Sequence, residues 1–197
     1  MMCGSFKGIS KISDMIIVAD SAPLIFLAKI NQLPLLTGLF NAEILVPVVV
    51  RNGILGPDVP PDEERLLTGF LSGCQVAASR KPTRFAQALS YADNCILTLA
   101  VKKQASVVLS DDRLLRKTAV IEGIRVIGTI GILIRATKAS LLTAKKSVEL
   151  LDELVEEHNF RISTRVYEIA RKAFDQVYPN GSPHTTHMKL HGMTNED

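Results

Sequence analysis

Residues 106–122 read SVVLSDDRLLRKTAVIE, which is a short apolar run, a pair of aspartates and an amphipathic segment. The run from Ser106 to Leu109 is apolar on both faces, as strands in the interior of a parallel sheet are. The segment from Arg113 to Glu122 has helical spacing of its apolar residues. The stretch therefore predicts a buried strand that gives way to a helix at Asp111 and Asp112.

The same unit of a strand followed by a helix recurs on both sides of this stretch. MIIVA at 15–19 and EILV at 43–46 are apolar strands followed by helical patterns, and shorter strands are predicted at 75–78 and 125–127. Alternating strands and helices with continuous apolar strands indicate a parallel sheet covered on both faces. We predict an α/β protein with a doubly wound parallel sheet flanked by α-helices.

Helices are predicted wherever apolar residues recur with a period of 3.6. They begin near Pro23 and Pro34 and also cover 47–55, a segment from Asp62 that ends by Gly73, a helical turn at 84–90, and 92–104, 113–122, 129–139, 145–157 and 164–174. These elements define one domain over residues 15–176. The flanking stretches 1–14 and 177–197 show no periodic apolar face, and we expect both to be disordered.

The composition excludes several classes of protein. Of the 197 residues, 47% are hydrophobic and 22% charged, which excludes disorder of the whole chain. The longest apolar stretch, residues 15–27, is interrupted by Asp20 and is shorter than the ~18 residues of a membrane span. We therefore expect a cytoplasmic protein. The three cysteines show no metal-type spacing, so we expect reduced thiols, with Cys95 in a helix packed on the core.

Four carboxylates fall at one edge of the predicted sheet. Asp20 directly follows the first strand, and Asp111 and Asp112 follow the strand at 106–109. Asp93 lies in the first turn of the helix that leads into that strand, so it lies over the same edge, where open parallel sheets bind ligands. Clustered carboxylates repel one another unless a cation neutralises them, and such hard oxygen ligands suit Mg²⁺ or Mn²⁺. The sequence predicts a metal site that can activate water against a phosphodiester.

Simpler explanations exist for each of these features. An aspartate after a strand is often the N-cap of the next helix, so Asp111 and Asp112 could both serve that purpose. The histidines at 184, 187 and 191 have helix-like metal spacing, but they follow a Pro- and Gly-containing stretch that is typical of an incidental tail. The segment 128–131 lacks the spacing of a nucleotide-binding fingerprint, and a strand-to-helix turn is enough to explain it.

Four segments of the chain resemble PIN domains. In IIVADSAPLIFLAKINQLPLL (16–36) an aspartate ends the first strand, and in AQALSYADNCILTLAVKKQASVVLSDDRLLRKTA (86–119) an acid opens a helix and two aspartates end the next strand. RVIGTIGILIRA (125–136) and NFRISTRVYEIARKAF (159–174) resemble the closing elements of a bacterial and archaeal subgroup related to VapC-type toxins.

This resemblance implies a five-stranded sheet and cleavage of RNA that depends on Mg²⁺ or Mn²⁺. It also implies the toxin role in a type II toxin–antitoxin pair, with an antitoxin protein as partner, and a homodimer. Asp20, Asp93 and Asp111 would be metal ligands and Asp112 a fourth acid. Side chains assigned a supporting role are Ser21 and Ser110 as hydrogen-bonding partners of the acids, and Arg113 and Arg116 as contacts to RNA phosphates.

Two positions depart from the family pattern. Many PIN domains have a glutamate in the helix after the second strand, where this chain has Asn52 or possibly Gly53. Asp93 stands where glutamate is common. The alternative function is therefore a weakened or inactive PIN fold that binds RNA or protein. A third reading, an aspartyl-phosphate enzyme or receiver domain, lacks the second aspartate of the common phosphatase motif after Asp20.

Overall fold

The structure, a computed structural model, describes residues 15–78 and 81–176. The predictions of disorder at 1–14 and 177–197, and the three histidines of the tail, lie outside the described residues. Elements are numbered in chain order. The strands are β1 Ile16–Ala19, β2 Glu43–Pro47, β3 Gln75–Ala77, β4 Val107–Leu109 and β5 Arg125–Ile127; the helices are α1 Ser21–Lys29, α2 Pro34–Leu39, α3 Val48–Ile54, α4 Pro61–Leu71, α5 Tyr91–Lys102, α6 Arg113–Ile121, α7 Thr129–Lys138, α8 Ala144–Glu156 and α9 Thr164–Asp175.

The five strands form one parallel sheet in the order β3-β2-β1-β4-β5. The chain builds the sheet outward from β1 to β3, and then returns to the other side of β1 to add β4 and β5. This reversal places a topological switch point between β1 and β4, and ligands of open α/β sheets bind at the carboxyl ends of the strands at such a point. The predicted α/β class with a five-stranded parallel sheet is confirmed.

The strands are buried because both faces of the sheet are covered. Val18, Leu45 and Val108 pair across the three central strands and are fully buried. Helix α5 is the most enclosed helix, since its residues from Asn94 to Ala100 are all buried. Cys95 is among them, as predicted. Within the described residues no helix combines the length and apolar character needed to cross a membrane.

The helical turn predicted at 84–90 is not formed. Backbone amides of this segment bind side chains of α5 instead of following a helical ladder. Thr83 N–H donates to Thr98 Oγ1 at 2.7 Å, and Phe85 N–H donates to Asn94 Oδ1 at 2.9 Å. The buried α5 side chains thus hold the residues up to Ala86 without regular secondary structure, and a single hydrogen-bonded turn from Ala86 to Leu89 precedes α5.

Candidate active site

Asp20 is the most enclosed carboxylate at the switch point. Its backbone N–H donates to Leu109 O of β4 at 2.9 Å, which ties the end of β1 to its neighbour, and only 7% of the residue is exposed. Oδ1 accepts from Ser21 N at 2.6 Å and from Ser21 Oγ at 3.2 Å. Burial raises the pKa of Asp20 above its ordinary value of 3.8, and the nearby charge of Asp93 raises it further. The carboxyl is therefore oriented by neighbours and destabilised as an anion.

Ser110 links the two strand ends. Its hydroxyl donates to Asp20 Oδ2 at 2.8 Å and accepts from the backbone N–H of Asp112 at 3.1 Å. The hydroxyl is fully buried, so these bonds have little competition from water. Ser21 and Ser110, which the sequence predicted as supporting residues, both contact Asp20.

Asp111 turns toward β5 and α7. Its Oδ1 accepts from Thr129 N at 2.8 Å and its Oδ2 accepts from Thr129 Oγ1 at 2.6 Å. Burial raises the pKa of Asp111 above its ordinary value, while the hydrogen bonds from Thr129 and the charge of Arg116 oppose the shift. The charge of the buried Asp111 carboxylate is therefore stabilised by Thr129 at the start of α7 and by Arg116 on α6.

Gly128 makes this arrangement possible. A Cβ atom at this position would overlap Asp111 Oδ1 and would lie 2.7 Å from Nη1 of Arg116. Any side chain at 128 would therefore displace the carboxylate from Thr129. This role of Gly128 could not be predicted from the sequence, because a strand-to-helix turn was enough to explain the glycine. The closeness of Asp111 in space leaves no signal in the local sequence.

Asp93 and Asp112 both stabilise helix N-termini. Asp93 Oδ2 accepts from Ser90 N at 2.9 Å while Asp93 N–H donates to Ser90 Oγ at 3.1 Å, a reciprocal capping box at the start of α5. Asp112 is exposed, and its Oδ1 accepts from Leu115 N at 2.7 Å as the N-cap of α6. The simpler explanation thus holds for the position of Asp112, but not for Asp111.

The four aspartates have different surroundings. Asp20 is bound by Ser21 and Ser110, Thr129 binds Asp111, and Asp93 and Asp112 stabilise the starts of α5 and α6. Within residues 15–78 and 81–176, no three side chains of His, Cys, Asp or Glu are placed to hold one ion. The metal-binding roles of the four aspartates stay predictions.

Asn52 lies on the exposed side of α3. Its Oδ1 accepts from Arg51 Nε at 3.1 Å and from Arg51 Nη2 at 2.8 Å. It lines a small cavity of about 310 Å³ together with Tyr91 and Cys95, so it lies near the N-terminus of α5. Arg113 and Arg116, predicted to contact RNA, both line a larger groove that begins at Asp111.

The sequence matches the family DUF3368, described as a PIN domain, over residues 16–176. This match covers all fourteen elements of the described fold. The chain belongs to the PIN domain family. PIN domains are typically nucleases that need divalent metal ions, so nuclease activity is the class of function that membership of this family indicates.

Two solved structures are similar to this PIN domain. One is a PilT N-terminus domain protein from the hyperthermophilic archaeon Sulfolobus solfataricus, with 16% sequence identity and a TM-score of 0.44 over 60% of this chain and 90% of that one. The other is a domain of a functionally unknown protein from Methanocaldococcus jannaschii, with 20% identity and a TM-score of 0.41 over 58% of this chain and 90% of that one. Among proteins with curated descriptions, none matches the chain.

The carboxylates of this PIN domain retain capacity to bind a cation. A carboxylate has about four acceptor positions, and hydrogen bonds from Ser21 and Ser110 use three of them in Asp20. Mg²⁺ is commonly bound through one or two carboxylates, with water and phosphate oxygens completing its coordination. Asp20 is therefore a residue that could hold a hard divalent ion together with another acid of this edge, and a cation there would offset the cost of burying its charge.

Proposed function

We propose that this PIN domain is an endoribonuclease that cleaves RNA phosphodiesters with Mg²⁺ or Mn²⁺, and that it is the toxin of a type II toxin–antitoxin pair. The observation that carries the proposal is the state of Asp20. This carboxylate is buried at the topological switch point, fixed by two serines, and raised in pKa by burial and by Asp93.

Asp20 and Asp93 are the residues that would hold the ion, and Asp111 is the third candidate. A divalent ion at such a site lowers the pKa of water and stabilises the charge that develops on a phosphoryl group. Ser21 and Ser110 hold both oxygens of Asp20 in place, so the carboxylate needs no reorientation when the ion binds.

Arg113 and Arg116 would bind phosphates that flank the scissile bond. Both lie on α6, which begins at Asp112 next to the candidate metal ligands. Arg116 is close enough to Asp111 for its charge to lower the pKa of that carboxyl. Phosphate contacts of this kind position RNA without reading its sequence. The antitoxin and a second copy of the chain are the proposed protein partners.

The test is cleavage of a labelled structured RNA by the full chain with Mn²⁺, Mg²⁺ or EDTA, after mass analysis has shown that no second protein is bound. We expect cleavage with either metal and none with EDTA. Asp20→Asn should lower the rate by on the order of 100-fold, because it removes the charge but keeps the size. Asp58→Asn, at an exposed acid between α3 and α4, is the matched control and should cleave normally. Normal cleavage by Asp20→Asn would count against the proposal.

A second candidate function is an RNA- or protein-binding module without turnover. The observation that favours it is the position of Asn52, whose oxygen binds Arg51 on an exposed helix face where the family usually supplies a glutamate. If wild type binds RNA without cleaving it in any metal, this candidate replaces the first. Cleavage that appears only in Asn52→Glu would show that the missing carboxylate is the reason.

A further inference from the structure

A groove of about 1080 Å³ runs from Asp111 along the last strand of the sheet. We call it the α6–α9 groove. Its walls come from α6, from β5 and the start of α7, and from residues 160–166 around the beginning of α9. Five cations line it: Arg113, Arg116, Lys117, Arg135 and Arg161. Of the acids in the described part of the chain, Asp111 alone lines the groove, and Thr129 already binds it.

The groove also carries exposed aliphatic side chains. Val120 is 65% exposed and Ile121 is 81% exposed at the end of α6, and Val166 of α9, which lines the same groove, is 41% exposed. Contiguous exposed aliphatic residues of this kind mark binding surfaces rather than ordinary protein surface. The groove therefore offers positive charge and apolar contact together.

The groove also lies beside the edge of the sheet. β5 is the last strand in the order, and its residues Val126 and Ile127 line the groove. An edge strand presents backbone groups that can pair with an extended chain from another protein. An extended occupant could thus lie along β5 while its side chains contact the exposed aliphatic residues and the cations of the groove.

Positive charge, exposed aliphatic residues and an adjacent edge strand together favour a protein segment over RNA as the occupant of the groove. RNA-binding surfaces stack bases on exposed aromatic rings. The aromatic residue that lines this groove, Phe160, is only 6% exposed and packs against Phe26. Aliphatic anchors with charged surroundings are instead the pattern of protein interfaces.

We propose that the α6–α9 groove binds an extended segment of a partner protein in which acidic residues alternate with aliphatic ones. Alternation places the carboxylates on one side of an extended chain and the aliphatic side chains on the other, so both groups of groove residues are engaged at once. The bound segment would begin beside Asp111 and would give the partner direct access to the candidate active site. The proposal does not depend on RNA cleavage.

The test uses the full chain in EDTA without RNA, so its failure is distinct from failure of the nuclease proposal. The probe is a short fluorescein-labelled peptide in which glutamate alternates with valine, and binding is read by fluorescence anisotropy. Comparison probes are a glutamate–serine peptide, a lysine–valine peptide and a labelled oligouridylate. We expect the glutamate–valine peptide to bind about tenfold more tightly than each of these, because it alone satisfies both charge and apolar contact.

Two double variants assign the binding to the groove. Val120→Ser with Ile121→Ser, and Lys117→Ala with Arg161→Ala, should each weaken peptide binding about tenfold. The matched controls are Leu66→Ser, at an exposed aliphatic residue of α4 that does not line the groove, and Lys102→Ala with Lys103→Ala at the end of α5; both should bind normally. All these residues except Arg161 and Lys103 lie on exposed helix faces, and circular dichroism checks that each variant folds.

Three results would overturn the proposal. The first is no binding of the glutamate–valine peptide, or equal binding in the groove variants and wild type. The second is tighter binding of oligouridylate that depends on Lys117 and Arg161 but not on Val120 and Ile121, which would make the groove a path for RNA. The third is a change from dimer to monomer in Val120→Ser with Ile121→Ser by sedimentation velocity, which would assign the groove to a second copy of the chain.

Discussion

The backbone at Gly128 lies against two charged side chains of the candidate active site. Gly128→Ala would push Asp111 away from Thr129 and crowd Arg116. We expect a loss of about 1–3 kcal/mol in the free energy of unfolding, as for overpacked sites, together with reduced cleavage. Urea unfolding measures the first and the RNA assay the second.

Gly53→Ala is the control for this prediction. A Cβ at Gly53 meets nothing within 4 Å, and the residue lies within α3. Alanine has a higher helix propensity than glycine, so this variant should be more stable by up to about 1 kcal/mol. If Gly128→Ala is as stable and as active as wild type, the close approach of Asp111 to the backbone is not needed.

Two variants of Asp112 separate its structural role as a helix cap from any chemical role in cleavage. Its carboxylate caps α6, so Asp112→Ala should cost about 1 kcal/mol of stability. Asp112→Asn keeps a capping oxygen and should be nearly as stable as wild type. Because Asp112 is exposed and already bound to Leu115 N–H, we also expect Asp112→Asn to cleave RNA at a rate close to that of wild type. A large loss of cleavage with unchanged stability would instead make Asp112 a working acid of the site.

At the scale of elements, α5 determines the path of residues 81–90. Asn94 is buried, and both polar atoms of its side-chain amide bind the backbone of this segment. Oδ1 accepts from Phe85 N–H, and Nδ2 donates to Ser90 O at 2.8 Å. Asn94→Ala should cost about 1–3 kcal/mol, because the part-buried Phe85 N–H and the buried Leu89 O lose the partner that the Asn94 amide gives them. Hydrogen exchange at the Phe85 amide should become faster. Unchanged exchange there would show that other contacts hold the segment.

The strands and most helices were predictable because their signals are local. The apolar runs of β1, β2 and β4 and the periodic faces of α6, α8 and α9 reflect burial against one core, and prolines at 34 and 61 mark helix starts. The conformation of the segment 84–90 could not be predicted, because the backbone N–H groups of Thr83 and Phe85 bind Thr98 and Asn94 in the next helix. A pattern of apolar residues carries no record of such partners.

The candidate site was predictable to the level of the sheet edge. Strand ends and helix starts predicted one edge of the sheet for the four aspartates. The resemblance implied supporting roles for Ser21 and Ser110, and in the structure both serines donate hydrogen bonds to Asp20. The direction in which each carboxylate points was not predictable. The orientation of the Asp111 carboxylate is set by Gly128 and Thr129, which are 17 and 18 residues distant in the chain and reach it only through the pairing of β4 with β5.

At the scale of the whole molecule, the two buried carboxyls make stability depend on pH. Burial raises the pKa of Asp20 and of Asp111 above the ordinary value of 3.8. The folded protein then holds these protons more tightly than the unfolded chain does. The free energy of unfolding should therefore fall as the pH rises from about 3.8 through the raised values, and this contribution should be constant above them.

Urea unfolding in EDTA over this range tests the sign. The difference between wild type and the double variant Asp20→Asn with Asp111→Asn isolates the two carboxyls. Wild type should lose stability relative to the variant as the pH rises. A difference that stays flat, or that grows in favour of wild type, would mean that hydrogen bonds outweigh burial at these carboxyls.

The central claim is that a divalent ion binds at Asp20, and manganese binding tests it most directly. Electron paramagnetic resonance of the full chain, titrated with Mn²⁺ in the absence of RNA, measures the affinity. We predict one bound ion per chain, an affinity lower by on the order of 10- to 100-fold in Asp20→Asn and in Asp93→Asn, and no change in Asp58→Asn. Equal affinity for Mn²⁺ in wild type and Asp20→Asn would contradict the claim.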